Sequence, residues 1–225
     1  MLPKEYHIKV TRTARYCTLG EINDNTKRTW IVLHGHKMLA GNFIKSFAEL
    51  ADEGDYIIAP EALSRLYVKG DFGDVGANWM TKEDRESEIS DYVNYLDELY
   101  EKEIVPNKKQ FSFEVYALGF SQGAATLSRW LAYGHSAPLM TGKTKVDKAI
   151  FWCGNLAHDV DYSKSEQFKH TSIYLVFAEN DQYYPPDFYK TQVELLQKHG
   201  IESKFHVFKG KHEINAKLII EAELY

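Results

Sequence analysis

The stretch Gly119-Phe120-Ser121-Gln122-Gly123 carries the strongest chemical signal in this 225-residue chain. A serine hydroxyl becomes a useful nucleophile only when it stands exposed beside a base, and G-x-S-x-G spacing supplies that exposure through one sharp turn between a strand and a helix. Glycines two residues before and two after the serine remove the Cβ atoms that would hold strand and helix apart. The backbone N–H of Gln122 would then face the space beside the hydroxyl at a helix N-terminus. The flanks agree with this geometry: 111–118 is apolar and β-like, and 124–133 is Ala-rich and helical in pattern.

Such a serine needs a base, and the base needs a group to orient it. On a sheet with this kind of elbow the partners follow in the order Ser, acid, His. An acid is available at a strand end in Ala178-Glu179-Asn180-Asp181. Asp181 is the expected member there, with Glu179 the nearer rival and Asp187 better read as the cap of a following helix. Of the nine histidines, His212 lies in a strand-to-helix loop downstream of that acid, whereas His206 falls inside a strand and His199 at a helix end. The oxyanion formed on attack needs two donors. The Gln122 amide is one, and the amide of His36, in the loop His34-Gly35-His36-Lys37, is the other. The His34/His36 pair has no carboxylate or cysteine at ligand spacing, so no metal site is expected.

Taken together, His34-Gly35 after a strand, Ala59-Pro60 with Trp79 downstream, Gly119-Phe120-Ser121-Gln122-Gly123, Asp181 and Gly210-Lys211-His212-Glu213 resemble the phospholipase/carboxylesterase group of α/β-hydrolases, which includes the acyl-protein thioesterases. The resemblance runs over most of the chain, between Thr29 and His212. It implies an α/β-hydrolase fold, Ser121 as nucleophile, His212 as base, Asp181 as its orienter, and His36 and Gln122 as oxyanion donors. It further implies hydrolysis of small carboxylic esters, or thioesters, with no cofactor. Trp79 is placed beside the site by the same resemblance. Tyr67, Phe72, Trp152, Tyr183 and Tyr184 also lie near it in sequence, and Trp79 and Tyr183 are the expected substrate-binding residues. Two departures bear on the substrate. His36-Lys37 replaces the small or aliphatic residue usual after His-Gly, and 61–80 is rich in Asp and Gly where an acyl-chain loop would be apolar. Both favour a small soluble ester over a lipid. Alternatives of other kinds are a binding protein with a vestigial site, and a hydrolase of peptide or C–C bonds.

The elements needed to position these residues can be read from periodicity. Apolar runs at 29–33, 55–60 and 148–153 read as buried strands, and 172–178 and 204–208 read as the strands that follow. Tyr6–Val10 and Arg15–Leu19 read as an antiparallel hairpin at the sheet edge. Helices are expected around Phe43, Phe47 and Leu50, from a Thr81 cap along Ile89, Tyr92, Val93, Leu96, Leu99 and Tyr100, over 187–199, and finally along Ile214, Leu218 and Ala222. The stretch 61–80 shows no sustained period and reads as a long functional loop. Strands alternating with helices predict a mostly parallel central sheet with helices on both faces, and the resemblance implies that residues 1–225 form a single α/β-hydrolase domain. At 44% hydrophobic residues the chain can bury one sizeable core, and its net charge of −5 argues against a nucleic-acid surface. No leader or membrane span is evident, and two distant cysteines suggest a reduced, cytoplasmic protein, monomeric or homodimeric.

Overall fold

The computed structural model describes residues 3–134 and 146–221. The chain begins its regular structure with β1 (Tyr16–Leu19) and β2 (Arg28–Leu33), followed by short helices α1 (Ala40–Phe43) and α2 (Ala48–Asp52) joined by a 3₁₀ turn. Then come β3 (Tyr56–Pro60), the pair β4 (Ser64–Tyr67) and β5 (Val75–Asn78), the long helix α3 (Arg85–Glu103) and a single turn α4 (Val105–Lys108). The remainder alternates: β6 (Glu114–Phe120), α5 (Gln122–Tyr133), β7 (Lys148–Trp152), α6 (Glu166–His170), β8 (Ser172–Ala178), α7 (Phe188–Lys198), β9 (Ser203–Phe208) and α8 (Ala216–Glu221).

Seven strands form one sheet in the order β1-β3-β2-β6-β7-β8-β9, parallel except for β1. Strand residues alternate between its faces, so both must be covered. Ile31, Leu33, Val115 and Ala117 face a core shared with Tyr92, Leu96, Leu127, Trp130, Phe168 and Leu196, from α3, α5, α6 and α7. Trp30, Val32, Tyr116 and Leu118 face a second core with Phe43, Phe47, Leu50 and Ile219, from α1, the 3₁₀ turn after it, α2 and α8. Strand order reverses between β2 and β6. From there one arm of the sheet runs through β7 to β9 and the other through β3 to β1, which opens a crevice at the carboxyl ends of the central strands.

The fold departs from the sequence expectations in several places. The antiparallel edge exists, but it pairs β1 with β3, Tyr16 opposite Pro60 and Leu19 opposite Ile57, instead of forming an N-terminal hairpin. Residues 6–10 are not a strand: Tyr6, Ile8 and Val10 are more than three-quarters exposed. Their alternation supplies an apolar side with no surface to cover it. The stretch 61–80 is not a structureless loop, since β4 and β5 form an antiparallel hairpin. Its second strand, Val-Gly-Ala-Asn, is too short and its side chains too small to print a β pattern. Thr81 does not cap α3. Its N–H is taken by the Glu88 carboxylate at 2.6 Å and its hydroxyl accepts from Glu83 N–H at 3.1 Å. This local turn competes with the helix, which starts only after Asp84. The last helix begins at Ala216, so Ile214, the first residue of its expected apolar face, precedes it; Ala222 lies outside the described residues.

Candidate active site

Ser121 joins β6 to α5 with φ 54° and ψ −118°, a conformation costly for any residue with a side chain. Neighbouring contacts hold it there. Ser121 N–H donates to Trp152 O at 2.9 Å and its carbonyl accepts from Ala124 N–H at 3.0 Å. A Cβ on Gly119 would lie 2.3 Å from the Gly123 carbonyl oxygen, and one on Gly123 would lie 2.2 Å from that of Leu33. Both glycines are therefore required by close approach, and the second lets α5 pack against the end of β2.

Two loops from the far arm of the sheet converge on this turn. The loop after β8 carries Asp181 and the loop after β9 carries His212. They are tied together by Glu179 N–H to Phe208 O at 2.9 Å and Asn180 N–H to Gly210 O at 3.1 Å. Trp152, at the end of β7, donates from its indole to Glu213 O at 2.9 Å and fixes the loop that carries His212. The result is a continuous line of hydrogen bonds. His212 Nδ1 lies 2.7 Å from Asp181 Oδ2, and His212 Nε2 lies 2.9 Å from Ser121 Oγ. A carboxylate only accepts, so Nδ1 carries the ring proton and Nε2 is left to accept from the serine hydroxyl. Asp181 is nearly inaccessible, at 2% side-chain exposure. Its other oxygen accepts from Tyr183 N–H at 2.8 Å. The rival Glu179 is exposed, and Asp187 precedes α7 and pairs with Lys190.

The ring of Tyr183, 69% exposed, meets the His212 ring edge-on at 4.6 Å. Trp79 has a different setting. It is buried at 2% exposure, lies against the His34 ring, and donates its indole N–H to His34 O at 2.9 Å, so it props up the loop after β2 from beneath. Of the other aromatics singled out by sequence, Tyr67 and Phe72 are exposed side chains of the β4–β5 hairpin, while Tyr184 stacks on Phe188 and donates to Asn155 Oδ1 at 3.2 Å.

On the near side, His36 sits in an exposed turn after β2. The β4–β5 hairpin holds this turn through Lys37 N–H to Ala77 O at 2.9 Å and Ala77 N–H to Met38 O at 3.0 Å. Among the described residues, the backbone N–H groups of His36 and Gln122 donate to no other protein group. The Gln122 side chain binds the hairpin's exit, accepting from Trp79 N–H at 3.2 Å and donating to Met80 O at 3.0 Å.

Two further groups near the site are held out of chemistry by burial. His34 is fully buried, with Nδ1 donating to Gly35 O at 2.8 Å and Nε2 accepting from Ala62 N–H at 3.1 Å. Desolvation lowers its pKa to about 4, against weaker upward pulls from Gly35 O and Glu61, and it is neutral. Cys153, with φ 44°, places its sulfur within 4.8 Å of ligand atoms of Asp181 and His212. Burial, then the Asp181 charge, raises its thiol to about 12, so it stays protonated. Asn78, which contacts both Gln122 and His36, is the residue that sequence reasoning missed, since a lone Asn at a strand end carries no chemical signature; Trp152, named from sequence only as an aromatic near the site, acts through its indole bond to Glu213 O.

This fold and arrangement define the chain as an α/β-hydrolase. It belongs to the serine hydrolase family FSH1, whose model matches residues 39–220, and is accordingly a serine hydrolase. No curated protein matches its sequence significantly. Among solved structures it is similar to Zea mays acyl-protein thioesterase 2 (16% identity, 93% of this chain and 96% of that chain covered, TM-score 0.66). It is also similar to a carboxylesterase from Mesorhizobium loti (15%, 94% and 94%, 0.66) and to esterase PE8 (18%, 95% and 97%, 0.65). At these identities the likeness is one of fold. Among the described residues no helix is long and apolar enough to cross a membrane.

Proposed function

We propose that the chain hydrolyses small carboxylic esters through an acyl-enzyme on Ser121, acting as one hydrolase domain in the reducing setting that its two free thiols fit. The observation that carries this is the hydrogen-bonded line Ser121–His212–Asp181, with distances of 2.9 and 2.7 Å, ending on a serine in the strained elbow conformation. Ser121 Oγ attacks the carbonyl carbon as His212 Nε2 takes its proton. Asp181 orients the imidazole and stabilises the resulting imidazolium. The negative oxygen of the tetrahedral adduct is received by the His36 and Gln122 amides, and their lack of protein partners among the described residues supports that role. Collapse breaks the bond to the leaving oxygen, which departs with the proton from His212. Water, deprotonated by the same imidazole, then attacks the acyl carbon and releases the acid and the free serine.

Tyr183 is the proposed contact for the bound ester at the mouth of the site. The exposed His36-Lys37 turn favours a polar acyl group. The thioesterase named among the structural relatives makes a thioester the natural alternative bond, since the same adduct forms with a thiolate leaving group.

The test is Ser121→Ala assayed on short-chain p-nitrophenyl esters, with fluorophosphonate labelling read by intact mass. Hydrolysis should fall by about 10⁴-fold or more and labelling should vanish, with the melting curve preserved. A Ser121→Ala protein that kept most of its activity would exclude the acyl-enzyme, and a wild-type protein that neither hydrolysed esters nor labelled would point to a binding module.

A further inference from the structure

Asn78 ends β5 with 3% exposure, and its side-chain oxygen touches both residues proposed to receive the oxyanion. Gln122 Nε2 lies 2.7 Å from Asn78 Oδ1 and His36 Nδ1 lies 3.0 Å from the same atom. Main-chain partners settle the orientation of these groups. Trp79 N–H can only donate and Met80 O can only accept, so Gln122 must present Oε1 to the first and Nε2 to the second. Its Nε2 therefore also donates to Asn78, which must present its oxygen. His36 Nδ1, facing an acceptor, must then carry the ring proton.

We propose that Asn78 is a positioning residue that sets the spacing of the His36 and Gln122 backbone N–H groups; this rests on the acyl-enzyme reading above. The two amides belong to loops leaving different strands, β2 and β6. The His36 turn is exposed and includes Lys37 at φ 63°, so it has little packing to hold it. Ala77 pins its backbone and Asn78 pins the His36 ring. The same oxygen is fastened to the residue that follows the nucleophile. Oxyanion donors act by being in place before charge develops, so a shared acceptor that fixes both raises the rate without tightening ground-state binding.

The experiment compares Asn78→Leu, Asn78→Asp, His36→Leu and the double variant His36→Leu/Asn78→Leu on a short-chain p-nitrophenyl ester, with Ser121→Ala as control. Asn78→Leu should lower kcat about 10- to 100-fold with KM within about twofold, and weaken a trifluoromethyl-ketone inhibitor in parallel with kcat/KM. Asn78→Asp keeps an acceptor oxygen and should recover kcat to within about threefold of wild type. His36→Leu retains its amide and changes only an exposed ring, so it reports on the bridge even if the buried leucine prevents folding; it should cost roughly tenfold in kcat. The double variant should lose no more than Asn78→Leu alone, because both break one unit. The proposal is overturned if His36→Leu keeps wild-type kcat, if the losses multiply, if they fall wholly in KM, or if Asp fails to rescue. An inactive Ser121→Ala beside a fully active Asn78→Leu removes this inference alone. An active Ser121→Ala removes the reading beneath it.

Discussion

His34 and His212 both sit in loops at the carboxyl ends of parallel strands, β2 and β9, and both are largely shielded from solvent, yet the partners of their ring nitrogens differ in kind. His34 spans a carbonyl oxygen and a backbone N–H, groups that neither take nor give up a proton near neutral pH. Burial lowers its pKa to about 4 and leaves it a neutral strut between the end of β2 and the start of the β4–β5 segment. His212 spans a carboxylate and a serine hydroxyl. Its ring can therefore gain a proton from one side while the charge it acquires is met on the other. What separates the structural His34 from the histidine proposed as the base is the kind of partner, an anionic carboxylate on one nitrogen and a hydroxyl on the other, more than depth or strand-end position.

The two histidines should differ most in kinetics. His212→Ala should lower kcat on p-nitrophenyl esters by about 10⁴-fold or more, because serine and base act as a unit. Its melting temperature should stay near that of the wild type, the side chain being one loop residue. A His212→Ala protein with near-normal kcat would make the two histidines equivalent and remove the distinction.

His34 should show its difference in stability instead. Its folded pKa lies below the ordinary 6.5, so between about pH 6.5 and 4 the unfolded chain binds a proton that the folded chain refuses. Stability must then fall as pH drops through that window, by roughly 3 kcal/mol in all for a shift of this size. Denaturant titrations of wild type and His34→Gln at a series of pH values isolate this contribution. The variant should start less stable at neutral pH and lose less on acidification. Parallel curves would mean that His34 titrates as freely as a surface histidine.

How much of this was legible in sequence depended on what each residue advertises. Ser121, Asp181 and His212 stand in loops after recognisable strands, in a chain order that this kind of sheet imposes, so their convergence is legible in the sequence. The strand–helix alternation around them was equally plain, since buried parallel strands read as continuous apolar runs. The N-terminal segment misled for a physical reason: Tyr6, Ile8 and Val10 alternate as a strand would, but alternation states only that a face is apolar, not that anything covers it. The β4–β5 hairpin was invisible for the opposite reason. Gly76, Ala77 and Asn78 are buried by close backbone approach and hydrogen bonding, not by hydrophobic bulk, so the element holding the proposed oxyanion loop carries no periodicity. Trp79 shows the limit of a motif: its proximity to the site could be foreseen, whereas its indole turning inward to the His34 carbonyl could not.

Glu61 offers the finest test of the contrast between the two histidines, because it acts on His34 while remaining apart from the Ser121–His212 line. Its carboxylate, 1% exposed, accepts from Arg15 at 2.7 and 2.8 Å, from Arg65 at 2.8 Å and from Ala40 N–H at 3.3 Å. It thereby ties the chain before β1, the start of β4 and the start of α1 to one point. Burial, the largest influence on it, would raise its pKa. The two guanidiniums together outweigh burial and bring it below the usual 4.5. A depressed carboxylate stabilises the fold above its unfolded pKa and loses that contribution as pH falls below about 4.5. Arg15 and Arg65 are 56% and 41% exposed, which discounts the ion pairs, so Glu61→Gln should cost only about 1–2 kcal/mol at neutral pH. The Glu61 charge is also one of the influences raising the His34 pKa. Its removal should therefore move the lower end of the His34 window to still lower pH while leaving kcat within about threefold, as expected for a residue outside the reacting line. Stability curves of Glu61→Gln and of the Glu61→Gln/His34→Gln pair would show this as a coupling between the substitutions that grows on acidification. Strict additivity at every pH would mean that the strut and the clamp beside it do not communicate.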